Sequence, residues 1–214
     1  MADIFREIDE DLRRDRLIRL WQRYGNWLLV ACGLIVLGTG VFVGWQDWQA
    51  RIHAAEAARF ESALDEAQAG MTTTAAQDLQ VLAGEDHSGY GLIARVEAAV
   101  IEVRTNDKAG GLAALQAIAE DPTVDDSYRG LARVFWALFA VDSLPRATIE
   151  EQLKSMTAET SPWRFVSREI LALADLRAGD RNGALILYKN LADDLDAPQT
   201  QRARAAEIIT DLQD

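Results

Sequence analysis

What the chain lacks sets the first limits. Of its 214 residues, one is a cysteine (Cys32), two are histidines (His53 and His87) and four are prolines. A lone thiol forms no intrachain disulfide and no Cys-based metal site. The two histidines are far apart and have no Cys or His beside them, so they form no metal-ligand pattern. There is no Gly-rich phosphate loop, no Gly-x-Ser-x-Gly elbow and no His-Glu-x-x-His pair. Basic residues are scarce as well. Lys and Arg number 22 against 34 Asp and Glu, for a net charge of −12, a balance that repels nucleic acid and anionic headgroups. The acid pairs Asp125-Asp126 and Asp193-Asp194 fall at helix ends or turns, where Asp126 can cap the following helix and the others are solvated. These absences predict a protein that is not an enzyme and has no cofactor, small-molecule substrate or nucleic-acid partner. Strand alternation is missing too. Val100-Ile-Glu-Val103 is β-rich but sits inside a longer 3.6-period segment, which predicts an all-α fold.

What is present is one long run without charge, from Tyr24 to Gln46. Its apolar centre, Trp27 to Trp45, would cover roughly 28 Å as a helix, close to the hydrocarbon thickness of a bilayer. The spacing predicts a transmembrane helix over 24–46, anchored by Trp27, Leu28, Leu29, Val30, Leu34, Ile35, Val36, Leu37, Val41, Phe42, Val43 and Trp45. Trp21, Tyr24 and Trp27 at one end, and Trp45 and Trp48 at the other, suit the aromatic belts of the two interfaces. A secretory signal core is shorter and ends in small residues, unlike the exit at Gly44-Trp45-Gln-Asp-Trp48. Gly33, Gly40 and Gly44 share one helical face and predict a close lateral helix contact. Arg13, Arg14, Arg16, Arg19 and Arg23 precede the run, whereas only Arg51 and Arg59 closely follow it. Residues 1–23 are therefore expected to be a cytoplasmic tail with an amphipathic pattern, and residues 47–214 a translocated domain.

Beyond the run the pattern is helical to the end. One helix is expected to continue from 46 to 69 and stop at Gly70, followed by helices at 73–83, 89–105, 108–120, 126–141, 146–157, 162–178, 181–194 and 198–212. Ser161-Pro162 reads as a helix start and Gly179 as a helix stop. Self-similarity runs through this region. Leu79-Gln-Val-Leu-Ala83 matches Leu115-Gln-Ala-Ile-Ala119 at an offset of 36, and Gly111-Leu-x-x-Leu115-x-x-Ile118 matches Ala184-Leu-x-x-Tyr188-x-x-Leu191 at an offset of 73. A period near 34 to 36 built from two antiparallel helices is the tetratricopeptide arrangement. Ala99, Gly111, Ala172 and Ala184 would let helices approach, Leu115, Ile118, Tyr188 and Leu191 would fill the space between them, and Gly179 would turn the chain. Asp175 departs from this pattern, falling where the repeat wants an aromatic residue. Candidate groove residues are Tyr128, Phe135, Trp136, Phe139, Trp163 and Phe165, and the apolar stretch Val134–Val141 predicts a centrally buried helix.

Leu20-Trp21-x-x-Tyr24-Gly25-Asn26-Trp27-Leu28-Leu29-Val30, then Gly44-Trp45-x-x-Trp48-Gln49 and Ala54-Ala55, resemble the YfgM-type ancillary subunits of the bacterial Sec translocon. The opening Phe5-Arg6-Glu7-Ile8-Asp9-Glu10-Asp11-Leu12-Arg13-Arg14 is similar to the alphaproteobacterial variant of that family. The resemblance implies an inner-membrane protein with a periplasmic tetratricopeptide-like domain, partnered by translocon subunits and a periplasmic chaperone and assisting export or folding of envelope proteins. An alternative is a scaffold of the same build serving envelope assembly or division. The family offers no motif of functional residues to carry over.

Overall fold

The computed structural model describes the backbone of residues 2–85, 89–105 and 107–213, and the side chains of Arg23, Trp27 and the described residues from 33 onward. Its helices are α1 (Ala2–Gln68), α2 (Thr72–Gly84), α3 (Gly89–Arg104), α4 (Lys108–Glu120), α5 (Asp126–Ala140), α6 (Arg146–Leu153), α7 (Arg164–Arg177), α8 (Arg181–Asp193) and α9 (Gln199–Gln213), with a 3-10 turn at Lys154–Thr157. Among the described residues there is no strand. The chain divides into two compact units, Met1–Ala55 and Glu56–Asp214.

The first unit is helical throughout its described backbone. Trp27, Leu34, Ile35, Val36, Leu37, Val41, Phe42, Val43 and Trp45 are all more than half exposed. A Cβ added at Gly33, Gly40 or Gly44 would meet nothing within 4 Å. The Thr39 hydroxyl donates to the Ile35 carbonyl at 2.8 Å, so this polar group is satisfied inside its own helix. The Trp45 and Trp48 rings lie 5.3 Å apart, and Asp47 pairs with Arg51 at 2.8 Å. The expected membrane-crossing helix needs a correction here: among the described residues no helix is long and apolar enough to cross a membrane. Side chains 24–26 and 28–32, including those of the anchor residues Leu28, Leu29 and Val30, lie outside the described residues, and 33–46 alone falls short of the roughly 20 residues that a span takes.

The second unit is built from sequential neighbours. The end of α1 supplies Ala63 to a buried cluster with Ala75, Leu79, Leu82, Ala94, Ala98 and Ile101 from α2 and α3. From α2 onward each helix packs on the next, and α5 also touches α3 and α7. A central cluster gathers side chains of α3 to α7, among them Leu115, Ile118, Ala132, Trp136, Ile149 and Leu153. A third joins Phe165 and Ala172 of α7 to Ala184, Tyr188 and Leu191 of α8 and Ala205 of α9. Two glycines end their helices in left-handed conformation, Gly70 at φ +85° and Gly179 at φ +82°. At the first, Met71 N–H donates to the Glu66 carbonyl and Gly70 N–H to that of Ala67; at the second, Asp180 reaches Asp175 and Gly179 reaches Leu176. These are paired Schellman closures, which satisfy the last helical carbonyls.

The 73-residue relation extends through the turns. Asp107 and Asp180, 73 apart, cap α4 and α8 by accepting from the Gly110 and Gly183 N–H groups at 2.8 Å. A Cβ added at either glycine would meet the capping carboxylate, at 2.2 and 2.5 Å. Asp121 and Asp194, again 73 apart, end those helices with extended backbone at ψ 110°. Each folds its carboxylate back onto the backbone N–H two residues on, at Thr123 and Asp196. In each turn the N–H three residues on, of Val124 and Ala197, returns to the carbonyl of the same aspartate, and both of those side chains are buried.

Most expected boundaries fall within one residue of the observed ones; three details differ further. α7 begins at Arg164 rather than 162: the Ser161 hydroxyl accepts from the Trp163 N–H and its carbonyl from the Arg164 N–H at 3.2 Å, so Pro162 and Trp163 form a turn that leads into the helix. The 146–157 segment is α-helical only to Leu153 and finishes as the 3-10 turn. The cap of α5 is Asp125, which accepts from the Ser127 N–H, while Asp126 lies in the first turn and pairs with Arg129.

Candidate interaction surface

α3, α5, α7 and α9 are the first helices of successive hairpins, and side chains on them carry most of what this domain could offer a partner. The candidate groove residues divide. Trp136 and Phe165 are buried, whereas Tyr128, Phe135, Phe139 and Trp163 are half-buried. Phe135 and Phe139 stack one turn apart with centroids 6.3 Å from each other. The Trp163 indole occupies space that only a glycine leaves at 130, since a Cβ there would meet Nε1 at 2.2 Å. α5 belongs to the central cluster, but Leu138 on it is 40% exposed, so the stretch is not covered all round.

The packing residues sit as follows. Ala99, Leu115, Ile118, Ala172, Ala184, Tyr188 and Leu191 are all buried. At Gly111 an added Cβ would meet the Ala99 carbonyl at 2.6 Å, so α4 approaches α3 closely enough to exclude a side chain. Asp175 is buried in place of the aromatic, with its charge matched by Arg146 of α6, which also pairs with Glu150. That contact holds the Arg146 guanidinium above its ordinary pKa.

Several cavities lie between the helices among the described residues. One of about 360 Å³ is walled by Leu138 of α5, Val166, Ile170 and Leu173 of α7, Tyr188 of α8 and Ile208 of α9. At its edge Arg204 grips Glu169 bidentately, Nε to Oε1 at 2.5 Å and a terminal nitrogen to Oε2 at 2.8 Å. Burial, helped by the Glu169 charge, raises the pKa of the Tyr188 phenol, so it remains a neutral donor at neutral pH. A second cavity, about 700 Å³, lies among α6, α7 and α8, with Arg168 tied to Asp194 at 3.4 Å and Arg146 beside it. A third, about 440 Å³, has Leu64, Ala67 and Ile101 in its wall next to Glu97 and Arg104; burial raises the Glu97 pKa, and Arg104 partly offsets this. A fourth, about 310 Å³, runs over α3 between Gln80 and Ala117. Two further carboxyls are held below their ordinary range by local hydrogen bonds, Asp121 by Thr123 and Asp125 by Ser127. Among the described residues no group of His, Cys, Asp or Glu is arranged to hold a metal ion, and His87 lies outside them.

The Arg204–Glu169 pair and the Asp107 and Asp180 caps had not been singled out from sequence. The caps were discoverable, since Asp-x-x-Gly opens both α4 and α8. The pair joins residues 35 apart on different helices, and no local pattern announces it.

The described residues form a stack of helical hairpins with cavities between the helices, an arrangement that suggests a protein-interaction scaffold. The tetratricopeptide repeat-like domain family matches residues 19–164, and the chain belongs to that family. Domains of this kind are generally non-catalytic. No curated protein and no solved structure matches the chain.

Proposed function

We propose that this protein is a membrane-anchored interaction scaffold, held in a bacterial inner membrane by residues 24–46 with its N-terminus in the cytoplasm and its repeat domain, 47–214, in the periplasm. The carrying observation is the helical stretch around Leu34–Trp45, uncharged and exposed along its length, with its one hydroxyl, that of Thr39, bonded within the helix. Such a surface is stable only when an apolar phase covers it. The family match supports the reading, because it begins at residue 19 and includes the apolar run along with the repeats. Together with residues 27–32 the run reaches the length that a bilayer asks for, about 28 Å. The resemblance to YfgM-type subunits supplies the partners in this reading: Sec translocon subunits, met through the Gly33, Gly40 and Gly44 face, and a periplasmic chaperone. The scaffold then assists newly exported chains as they leave the translocon. An envelope-assembly scaffold is the competing assignment.

Two measurements test this. Alkaline phosphatase fused after residue 213 is expected to be active, and a cytosolic, inactive fusion overturns the topology. A photo-crosslinker at Phe42, beside Gly40, is expected to capture translocon subunits; recovery of cell-wall machinery instead selects the competitor.

A further inference from the structure

We propose that the cavity between the end of α1, the start of α2 and α3 binds a free α-amino acid with an aliphatic side chain, its ammonium against Glu97 and its carboxylate against Arg104. This goes beyond the scaffold reading and holds whichever proteins the domain meets.

Two opposite charges line this space, and neither is answered. Among the described residues the side chains of Glu97 and Arg104 have no hydrogen-bond or ion-pair partner, although both stand in the wall of one cavity of about 440 Å³. Burial raises the Glu97 pKa and the Arg104 charge offsets this only in part, so the two groups sense each other without meeting. Leu64, Ala67 and Ile101 supply the apolar part of the wall.

The equivalent place 73 residues on is closed. Ile170 stands where Glu97 stands and is 3% exposed, and Ala137, Ala140 and Ala174, the counterparts of Leu64, Ala67 and Ile101, are buried. Arg177, the counterpart of Arg104 and likewise the last residue of its helix, pairs with Asp142 at 2.8 Å. In the earlier half the Asp142 position is held by Ala69, so that carboxylate is missing beside Arg104. One site has been filled and neutralised by the chain itself; the other keeps its volume and both of its charges.

Spacing selects the ligand. Glu97 and Arg104 are seven residues apart on α3, two turns and about 10.5 Å along the axis, so they share a face. Charge-assisted hydrogen bonds of about 2.8 Å at each end take up more than half of that length. The remainder suits a cation and an anion carried on one carbon, as in an α-amino acid, whereas the two termini of a longer peptide stand too far apart. An ion of a single sign answers one group and leaves the other unpaired. The guanidinium fork takes a carboxylate in particular, and the aliphatic side chain lies on Leu64 and Ile101. The volume lies within the range of small-molecule pockets, near its lower end.

The test is calorimetric titration of the full chain in nanodiscs, with empty nanodiscs as the blank. L-leucine is expected to bind with Kd on the order of 100 µM. Leucinamide, which lacks the carboxylate, and 4-methylpentanoate, which lacks the ammonium, should each bind about tenfold more weakly or worse. Glu97→Gln, Arg104→Gln and Ala69→Asp, the last importing the partner used in the later half, should each weaken leucine about tenfold or more with the melting temperature kept. Arg104 and Ala69 are exposed, so two of the variants keep the test alive should Glu97→Gln fail to fold. No leucine binding by the parent chain overturns the inference. So does binding indifferent to all three variants, or leucinamide or 4-methylpentanoate binding as tightly as leucine. Phosphoethanolamine binding where leucine does not would overturn it too, by giving the site to a lipid headgroup. A cytosolic C-terminus would sink the anchoring alone and leave this titration standing.

Discussion

The two stretches α3–α5 and α7–α9 are the same construction made twice, 73 residues apart, and they differ where it is instructive. Their turns agree in detail: capping aspartates at 107 and 180, tight glycines at 110 and 183, and extended aspartates at 121 and 194. Their facing surfaces do not agree. Gly111 becomes Ala184, Leu115 becomes Tyr188, Glu102 becomes the buried Asp175, and the Val96/Leu131 contact becomes the Glu169–Arg204 pair. The turn machinery sets where each helix begins and ends, and it tolerates little change. The inter-helix surfaces can be refilled as long as volume and charge are balanced.

Substitutions that exchange or remove the paired residues break this comparison to different degrees. The largest effect is expected from Leu115→Ala, which empties a fully buried site and should cost about 2–5 kcal/mol by chemical denaturation. Tyr188→Leu, which imports the earlier half's residue and leaves a smaller void, should cost less, about 1–3 kcal/mol. If the two losses were equal, the halves would not be packed alike. Next comes Gly111→Ala, whose new methyl meets the Ala99 carbonyl; it should destabilise by about 1–3 kcal/mol despite better helix propensity. The reverse change, Ala184→Gly, should cost about 1 kcal/mol, and a stabilised Gly111→Ala would refute the close approach. Removing either cap, by Asp107→Ala or Asp180→Ala, should lower stability by about 1 kcal/mol, equally in the two halves. That equality, read as matched losses in melting temperature, is the sharpest check that the turns are equivalent.

The smallest effect is a pH dependence. The Glu97 pKa is raised in the folded state above its ordinary 4.5, with burial as the main cause, so its charged form opposes folding. The penalty is absent below pH 4.5, develops as pH rises from there through the folded value, and is complete above it. Glu97→Gln should therefore raise the melting temperature slightly at pH 7 and leave it unchanged at pH 4. Asp121 and Asp125 act in the opposite sense. Their folded values lie below 3.8, so their contribution is present above that pH and is lost as pH falls through the folded values.

Most of the architecture could be read in the sequence because it is written locally. The predicted 108–120 helix coincides with α4, and Gly70 and Gly179 do stop their helices. The offset of 36 set Leu79 against Leu115, and both side chains are fully buried. What escaped was the competition of side chains for the backbone and the pairing of distant charges. The Ser161 hydroxyl does take the Trp163 N–H, as a cap would, but Pro162 and Trp163 form a turn and the α-helix starts only at Arg164. Arg204 clasps Glu169, 35 residues away on another helix, at the edge of a cavity, and no local pattern announces that pairing.

The brief α6, with its eight residues and 3-10 ending, bears on how the chain reaches this arrangement at all. Neighbouring repeats that are too alike can swap places while they assemble. Here the two similar halves are kept apart by a misfit: α6 cannot stand in for the thirteen-residue α4 or α8. A growing chain that slips by one hairpin therefore finds no partner of the right length, so the error goes unrewarded and the correct neighbours meet again.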